Sequence, residues 1–333
     1  DATVADYLTG REAESEILPD RLNFSLNKVT GLRYGENPHQ QGGLYVSATG
    51  ATGGIARSEQ LHGRDLSYNN LMDADAAWRA VSDYAEPTAV VVKHANPCGL
   101  ASHEDLSEAY QRAYEGDTVS AFGGIVGYNR RVTAAAAQAM NPVFYEVVVA
   151  PGYEPGALEI LQKKRNLRIL AVTPALPGSS ETTYDLRPIT GGVLVQTPDD
   201  IVEDSAGWKT VTNRVPTTAE LADLAFAWKA VKHIKSNAIV FAKDRTLMGM
   251  GAGQPNRVVS VHLSQRIGGN KSQGSVLASD AFFPFPDNID LAAEAGITVI
   301  VQPGGSIRDE EVIEAANKYD MAMVFTDVRH FRH

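Results

Sequence analysis

The chain has 333 residues, with 30 Lys and Arg against 40 Asp and Glu for a formal charge of −10, and 44% hydrophobic content. That length suggests about two domains with cores of their own; 29 Gly and 16 Pro are near ordinary usage and exclude a collagen-like or low-complexity chain. The acidic balance without a Lys/Arg run argues against nucleic-acid partners, no apolar run approaches the roughly 18 residues of a membrane span, and the single Cys98 permits neither an internal disulfide nor a four-cysteine zinc site.

The opening DATVADYLTG has neither the basic start nor the apolar stretch of a secretory signal, so a soluble, cytoplasmic protein is expected. The missing initiator Met fits a processed chain or a piece of a longer one. Residues 1–25 read as an attachment segment with one short helical pattern and no core. A first α/β unit is expected over 26–171. Leu71, Ala74, Trp78 and Val81 follow helical spacing, and Glu86-Pro87 ends that run. TAVVV (88–92) reads as a buried strand, and Ser102 with Asp105 predicts a capping box opening the next helix. Strands are expected at GGIVG (123–127) and EVVVA (146–150), with a helix over 133–140 between them.

Residues 172–215, rich in Pro, Gly, Ser, Thr and Asp, read as a linker or cross-connection holding one strand candidate, GGVLVQ (191–196). A second unit is expected over 216–333. Thr217 and Glu220 predict a capping box, and Leu221, Leu224, Trp228 and Val231 share one helical face. NAIVFA (237–242), TLMGMG (246–251), ITVIV (297–301) and MAMVF (321–325) read as strands, and Ser306 with Asp309 as the cap of the helix before the last one. Strands alternating with helices give an α/β class. The two units correspond in outline, each running capped helix, apolar strand, polar loop, helix.

The most informative stretch is VVVKHANPCG (90–99), an apolar strand ending in Lys93-His94 and then a polar loop in which Pro97 extends Asn96 and Gly99 permits a turn. A lysine beside a histidine disfavours the imidazolium and leaves a base near neutral pH; an exposed strand end with two ordinary polar residues is the plainer reading. A zinc deaminase would need H-x-E and P-C-x-x-C, whereas His94 is followed by Ala95-Asn96 and no second cysteine exists. In GMGAGQPNR (249–257) the third glycine falls one place early for a dinucleotide loop. What remains is a tight turn, or close backbone approach to a ligand with Arg257 as a planar fork for an anion. In RYGENPHQ (33–40), Arg33 either holds a phosphate or is solvated. SDAFFPFPDNID (279–290) is either a core-plugging loop or a ring-binding pocket with an acid rim, where Asp287 accepts from an aminopyrimidinone edge. QPGGSIRDE (302–310) sets a glycine turn at a helix start, favourable to an anion and equally an ordinary cap. In the terminal RHFRH, Phe331 suggests a docked end, and His103 and His262 need no functional explanation.

LRYGENPHQ, VVKHANPCG, SAFGGIV, VVVAPGYE, SNAIV, GAGQPNR, SDAFFPFPDNID, QPGGSIRDE and FTDVRHFRH run in that order over residues 32–333. Together they resemble the transformylase part of the AICAR transformylase/IMP cyclohydrolase family. The resemblance implies two cytidine-deaminase-like α/β/α units without zinc, and a homodimer with active sites at the subunit interface. The implied substrates are AICAR and 10-formyltetrahydrofolate, with no catalytic metal. The cyclohydrolase would belong to an N-terminal domain absent here. By similarity His94 accepts the proton and Lys93 stabilises the transition state. Arg33, Tyr34, Asn70, Gly123, Glu146, Asn237, Arg257 and Arg329 are implied for the nucleotide, and Val258, Phe282, Asp287, Ser306 and Ile307 for the folate. Two other classes are weighed against this one: a non-catalytic nucleotide-binding module, and a dinucleotide oxidoreductase disfavoured by the misplaced glycine.

Overall fold

The computed structural model describes residues 17–48, 53–174, 184–201 and 204–333. Of the expected attachment segment, residues 1–16 lie outside the described part. A hairpin of β1 (Leu26–Leu32) and β2 (Gly42–Ser47) stands apart from the main sheet. The first half continues with β3 (Glu59–His62), α1 (Tyr68–Ser82), β4 (Thr88–Lys93), β5 (Asn96–Ser102), α2 (Leu106–Gly116), the single turn α3 (Thr118–Ala121), β6 (Ile125–Tyr128), α4 (Ala134–Met140), β7 (Val147–Ala150), α5 (Pro155–Leu161) and β8 (Arg168–Ala171). A second separate hairpin, β9 (Asp185–Ile189) with β10 (Gly192–Gln196), leads to β11 (Lys209–Thr210). The second half is α6 (Thr218–Lys232), β12 (Ile239–Lys243), β13 (Thr246–Gly251), α7 (Arg257–Gly268), β14 (Val276–Ser279), α8 (Asp287–Glu294), β15 (Val299–Gln302), α9 (Asp309–Lys318) and β16 (Ala322–Phe325).

Twelve strands form one mixed sheet in the order β11-β16-β15-β14-β12-β13-β5-β4-β6-β7-β8-β3. The order is the same read outward from the centre in either direction. An antiparallel pair (β4 and β5, or β12 and β13) is followed by three parallel strands (β6, β7, β8, or β14, β15, β16) and a short antiparallel edge (β3 or β11). The halves meet where β13 runs antiparallel to β5, Thr246 opposite Ala101, and the Arg245 carbonyl accepts from the Ser102 N–H at 3.0 Å. From Ser67 to Gly99 the repeat keeps one offset: Ser67, Asp73, Trp78, Lys93 and Gly99 have Thr217, Asp223, Trp228, Lys243 and Gly249 in the same places.

Side-chain alternation along these central strands forces burial on both faces. Val90 and Val92 of β4, with Val240 and Ala242 of β12, join one core under α1 and α6. Ala89 and Val91 face α2 and α4, while Ile239 and Phe241 face α7 and α8. Alanines at 74, 76, 77 and 80 let α1 lie close to the sheet. The α1 and α6 C-caps, Asp83 and His233, occupy equivalent positions of the repeat and touch each other, the Asp83 carboxylate accepting from His233 Nε2 at 2.8 Å and lying 3.1 Å from Lys232 Nζ.

Three local expectations are corrected. The residues after His94 continue as β5, so Ser102 lies in a strand, its buried hydroxyl 2.8 Å from that of Thr88, and α2 is capped by Asp105 alone, which accepts from the Ser107 N–H. Gly99 is no turn. It sits inside β5, where a Cβ would lie 1.9 Å from the Ala113 carbonyl oxygen of α2. Ser306 and Asp309 do not cap α9, whose N-cap is Arg308; their side chains accept from the Arg308 and Gly305 N–H groups and brace the turn before the helix. The Thr217–Glu220 box forms as expected, and α1 has its own from Ser67 and Asn70. Gly99→Ala is expected to destabilise the fold by about 1–3 kcal/mol through forced separation of α2 from β5. Gly192→Ala, with open space around its Cβ position, should change stability by under about 0.5 kcal/mol. Urea unfolding of the two variants checks the contrast.

Candidate active site

Every site residue implied by the resemblance lies along one edge of the sheet or on loops that reach it, because the halves run in opposite directions. The first half presents strand beginnings there: β4 ends beside the start of β6, followed by the starts of β7 and β8. The second half presents the ends of β13, β14, β15 and β16 and the start of β12. Carboxyl ends of parallel strands are the usual ligand edge of an α/β sheet.

Lys93 pairs with Asn96 across the β4–β5 hairpin, leaving His94-Ala95 as a two-residue turn with φ of 52° and 59°. Such turns need left-handed backbone at both residues and usually hold Asn-Gly, since an L-residue with a Cβ costs about 1–2 kcal/mol there. Here α1 holds the turn. Asp73 Oδ2 accepts the His94 N–H at 3.2 Å and Oδ1 the Ala95 N–H at 2.7 Å. The His94 side chain is exposed at the turn, and Lys93 Nζ donates to the Phe122 carbonyl at 2.7 Å.

Around that turn lies a first group. Gly123, next to Phe122, is left-handed at φ 74° and donates its N–H to the Phe144 carbonyl at 2.8 Å. Asn70, 6% exposed, serves two ends: Oδ1 accepts the Ser67 N–H at 3.2 Å, and Nδ2 donates to Glu146 Oε2 at 2.7 Å. Glu146 keeps 44% of its side chain exposed and sits 3.8 Å from Arg168 Nη1. The loop bearing Arg33 and Tyr34 is tied here by Asn69 Nδ2, which donates to the Glu36 carbonyl at 3.3 Å.

The second group centres on Asn237. Its Nδ2 donates to the Gln254 carbonyl at 2.8 Å and its Oδ1 accepts from Arg257 Nη2 at 2.8 Å. The fork expected for an anion is committed to the protein: Arg257, 5% exposed, also donates to Ser279 Oγ and to the fully buried Asp280. Asn237, Arg257, Phe282 and Arg329 line a cavity of about 250 Å³, and Asn237, Gln254 and Phe331 border another of about 390 Å³. The C-terminal residues dock as expected, with the Arg332 N–H donating to Ser236 Oγ and His330 Nδ1 meeting Asp199 at 2.6 Å. The aromatic motif divides its roles: Phe283 is fully buried, while Phe282 and Phe285 are 38% and 48% exposed. Asp287 opens α8, with Asn288 Nδ2 donating to its Oδ1 at 2.7 Å. Ser306 and the fully exposed Ile307 lie before α9, joined to the aromatic loop by Arg308 over the Phe285 ring. Val258 follows Arg257 at the start of α7.

The two groups sit on different stretches of that edge. β6 and β14 are five strand spacings apart, about 24 Å along the sheet at roughly 4.8 Å each. The His94-Ala95 turn stands between them, with Asn96 Oδ1 accepting the Lys235 N–H at 3.4 Å. Cys98 is buried, its thiol donating to the Val91 carbonyl, and burial pushes its pKa up to about 12, so it is no nucleophile at neutral pH. Gly249 and Gly251 serve packing: a Cβ at either would lie 2.2 or 2.1 Å from a carbonyl oxygen of α7. Among the described residues, no group of three His, Cys, Asp or Glu side chains could hold a metal ion, and no helix is long and apolar enough to cross a membrane. Asp73, Arg168 and Asp280 were missed by reading motifs; for Asp73 the recurrence at Asp223, in front of the equivalent hairpin, was the available signal.

A family model described as AICARFT/IMPCHase bienzyme matches residues 1–266. The full chain is 48% identical to the bifunctional purine biosynthesis protein PurH of Listeria welshimeri and 49% identical to proteins of that name from Bacillus cereus and Bacillus anthracis. In each case the alignment takes in 100% of this chain and 64% of the relative, so the chain spans just under two thirds of their length.

The Arg257–Asp280 pair underpins the second group. Arg257→Met strands a buried carboxylate, and the expected loss is about 3–5 kcal/mol of stability, read as a lowered urea midpoint. An unchanged midpoint would show that the pair does not carry this corner of the site.

Proposed function

The chain belongs to the AICARFT/IMPCHase bienzyme family, and on that premise we propose that it is a formyltransferase. It moves the formyl group of 10-formyltetrahydrofolate to the 5-amino group of AICAR, giving FAICAR in purine biosynthesis. The observation that carries this reading is the exposed His94 on a braced hairpin turn, with Lys93 beside it, between an anion-and-amide group and an aromatic cavity on the same sheet edge.

The amine of AICAR is a poor nucleophile because its lone pair is delocalised into the imidazole carboxamide. Transfer therefore needs a base, stabilisation of the formyl oxyanion, and alignment. His94 takes the proton as the amine nitrogen bonds to the formyl carbon. Lys93 has three donors and gives one to Phe122, so the others are free to meet the developing oxyanion. The bond from the formyl carbon to folate N10 then breaks, and N10 is protonated. Arg33, Tyr34, Asn70, Gly123 and Glu146 are assigned to the nucleotide with Asn237 and Arg329. Arg257 acts there by holding the Asn237 amide. Phe282 offers a ring face to the folate, Asp287 a carboxylate to its aminopyrimidinone edge, and Val258, Ser306 and Ile307 the rim.

The separation of the two groups supports a site completed by a second copy of the chain, since one nucleotide is shorter than the gap between them. We therefore read the working form as a homodimer with interfacial sites. The two halves are read as cytidine-deaminase-like units without zinc, on the strength of their shared strand order.

The test is to mix the chain with AICAR and 10-formyltetrahydrofolate and follow tetrahydrofolate by absorbance. Turnover is expected, with His94→Ala lowering it about 10²–10⁴-fold while leaving AICAR affinity in place. A folded, AICAR-binding wild type without turnover would replace the enzyme by a nucleotide-binding module.

A further inference from the structure

The brace beneath the catalytic turn occurs twice in the molecule. In the second half, Asp223 on α6 accepts the N–H groups of Asp244 at 2.9 Å and Arg245 at 2.7 Å. These residues form the two-residue turn between β12 and β13, left-handed at φ 51° and 52°. Lys243 precedes them as Lys93 precedes His94, and it likewise donates to a backbone carbonyl, that of Gln273 at 3.1 Å. The opposed directions of the halves place this second turn on the other edge of the sheet, away from Asn237, Arg329 and Phe282. One device of identical geometry therefore carries Lys-His at the site edge and Lys-Asp at the edge without site residues.

We propose that Asp73 is the positioning residue of the catalytic turn. By accepting both turn N–H groups it fixes the left-handed backbone of His94 and hence the place of the imidazole relative to the substrate amine. The proposal rests on the formyltransferase reading. A carboxylate is suited to the task because both its oxygens are acceptors. An amide of the same size keeps one acceptor and turns an NH₂ toward the other backbone donor, so Asp73→Asn releases one side of the turn without emptying the space. Neither turn contains glycine, so the backbone conformation depends on this support. The duplicate supplies a matched control: Asp223→Asn releases the same side of an equivalent turn that bears no catalytic group.

The experiment compares Asp73→Asn and Asp223→Asn in the whole chain for unfolding midpoint, kcat and AICAR Kd, and repeats Asp73→Asn in the His94→Ala background. Both single variants should lower the midpoint. Asp73→Asn should also lower kcat about 10–100-fold, the scale of an ångström-sized misplacement, with the AICAR Kd within about twofold. Asp223→Asn should keep the wild-type kcat, and Asp73→Asn should not slow His94→Ala further, because its effect passes through that imidazole. A kcat for Asp73→Asn equal to that of Asp223→Asn, or an equal further loss in the His94→Ala background, overturns the proposal. If Asp73→Asn is too unstable to assay, adding Ala95→Gly removes the Cβ cost of the turn and restores stability, while the freer glycine backbone leaves His94 unfixed. That double variant should fold and remain slow, and a return to the wild-type kcat overturns the positioning role. Wild-type turnover with an unaffected Asp73→Asn defeats this proposal alone, whereas a wild type that binds AICAR without turnover defeats the formyltransferase reading and this proposal with it.

Discussion

The antiparallel meeting of β5 and β13 sets the arrangement of everything at the site edge. Thr246 stands opposite Ala101, Ser102 donates to the Arg245 carbonyl, and above the sheet the equivalent C-caps Asp83 and His233 close the joint. A parallel junction would have laid like ends together and repeated one site. The antiparallel junction sets strand beginnings of one half beside strand ends of the other. The first half therefore contributes an exposed carboxylate, amide and glycine loop to that edge, and the second contributes aromatic side chains and arginines.

Equivalent positions of the repeat have consequently diverged. Glu146 stands immediately before β7, as Thr298 stands before β15, and each faces the capping residue of its helix, Asn70 or Glu220. In the first half the Asn70 amide satisfies one oxygen of Glu146 and leaves the carboxylate 44% exposed. In the second half Glu220 is taken up by Thr217, Thr298 at 3.1 Å and Arg214 at 2.6 Å. Burial alone would raise its pKa, and those bonds hold it below the ordinary carboxylate value. One copy of the position is plugged by the chain itself and the other remains open to a ligand.

The helices were legible because their apolar spacing is local: Leu71 to Val81 and Leu221 to Val231 carry the period, and Thr217–Glu220 its start. β5 was not, because Pro97 and Gly99 are loop residues by local rules. Pro97 is tolerated where the β4–β5 register shifts, and Gly99 answers to α2. Motif text singled out His94, Asn237 and Phe282 as candidates, yet it could not reveal that the Arg257 guanidinium is taken by Asp280, 23 residues away, or that the implied ligand set is split along the edge. Those facts belong to tertiary pairing, which single motifs do not encode.

The split itself is the most direct point of attack. His94→Ala chains and Arg329→Ala chains, each inactive alone, should regain activity when unfolded together and refolded as a mixture. If each site takes its turn from one copy and Arg329 from the other, random pairing returns about a quarter of wild-type turnover, from the one intact site of each mixed dimer. A mixture no more active than its components would contradict a site shared between copies.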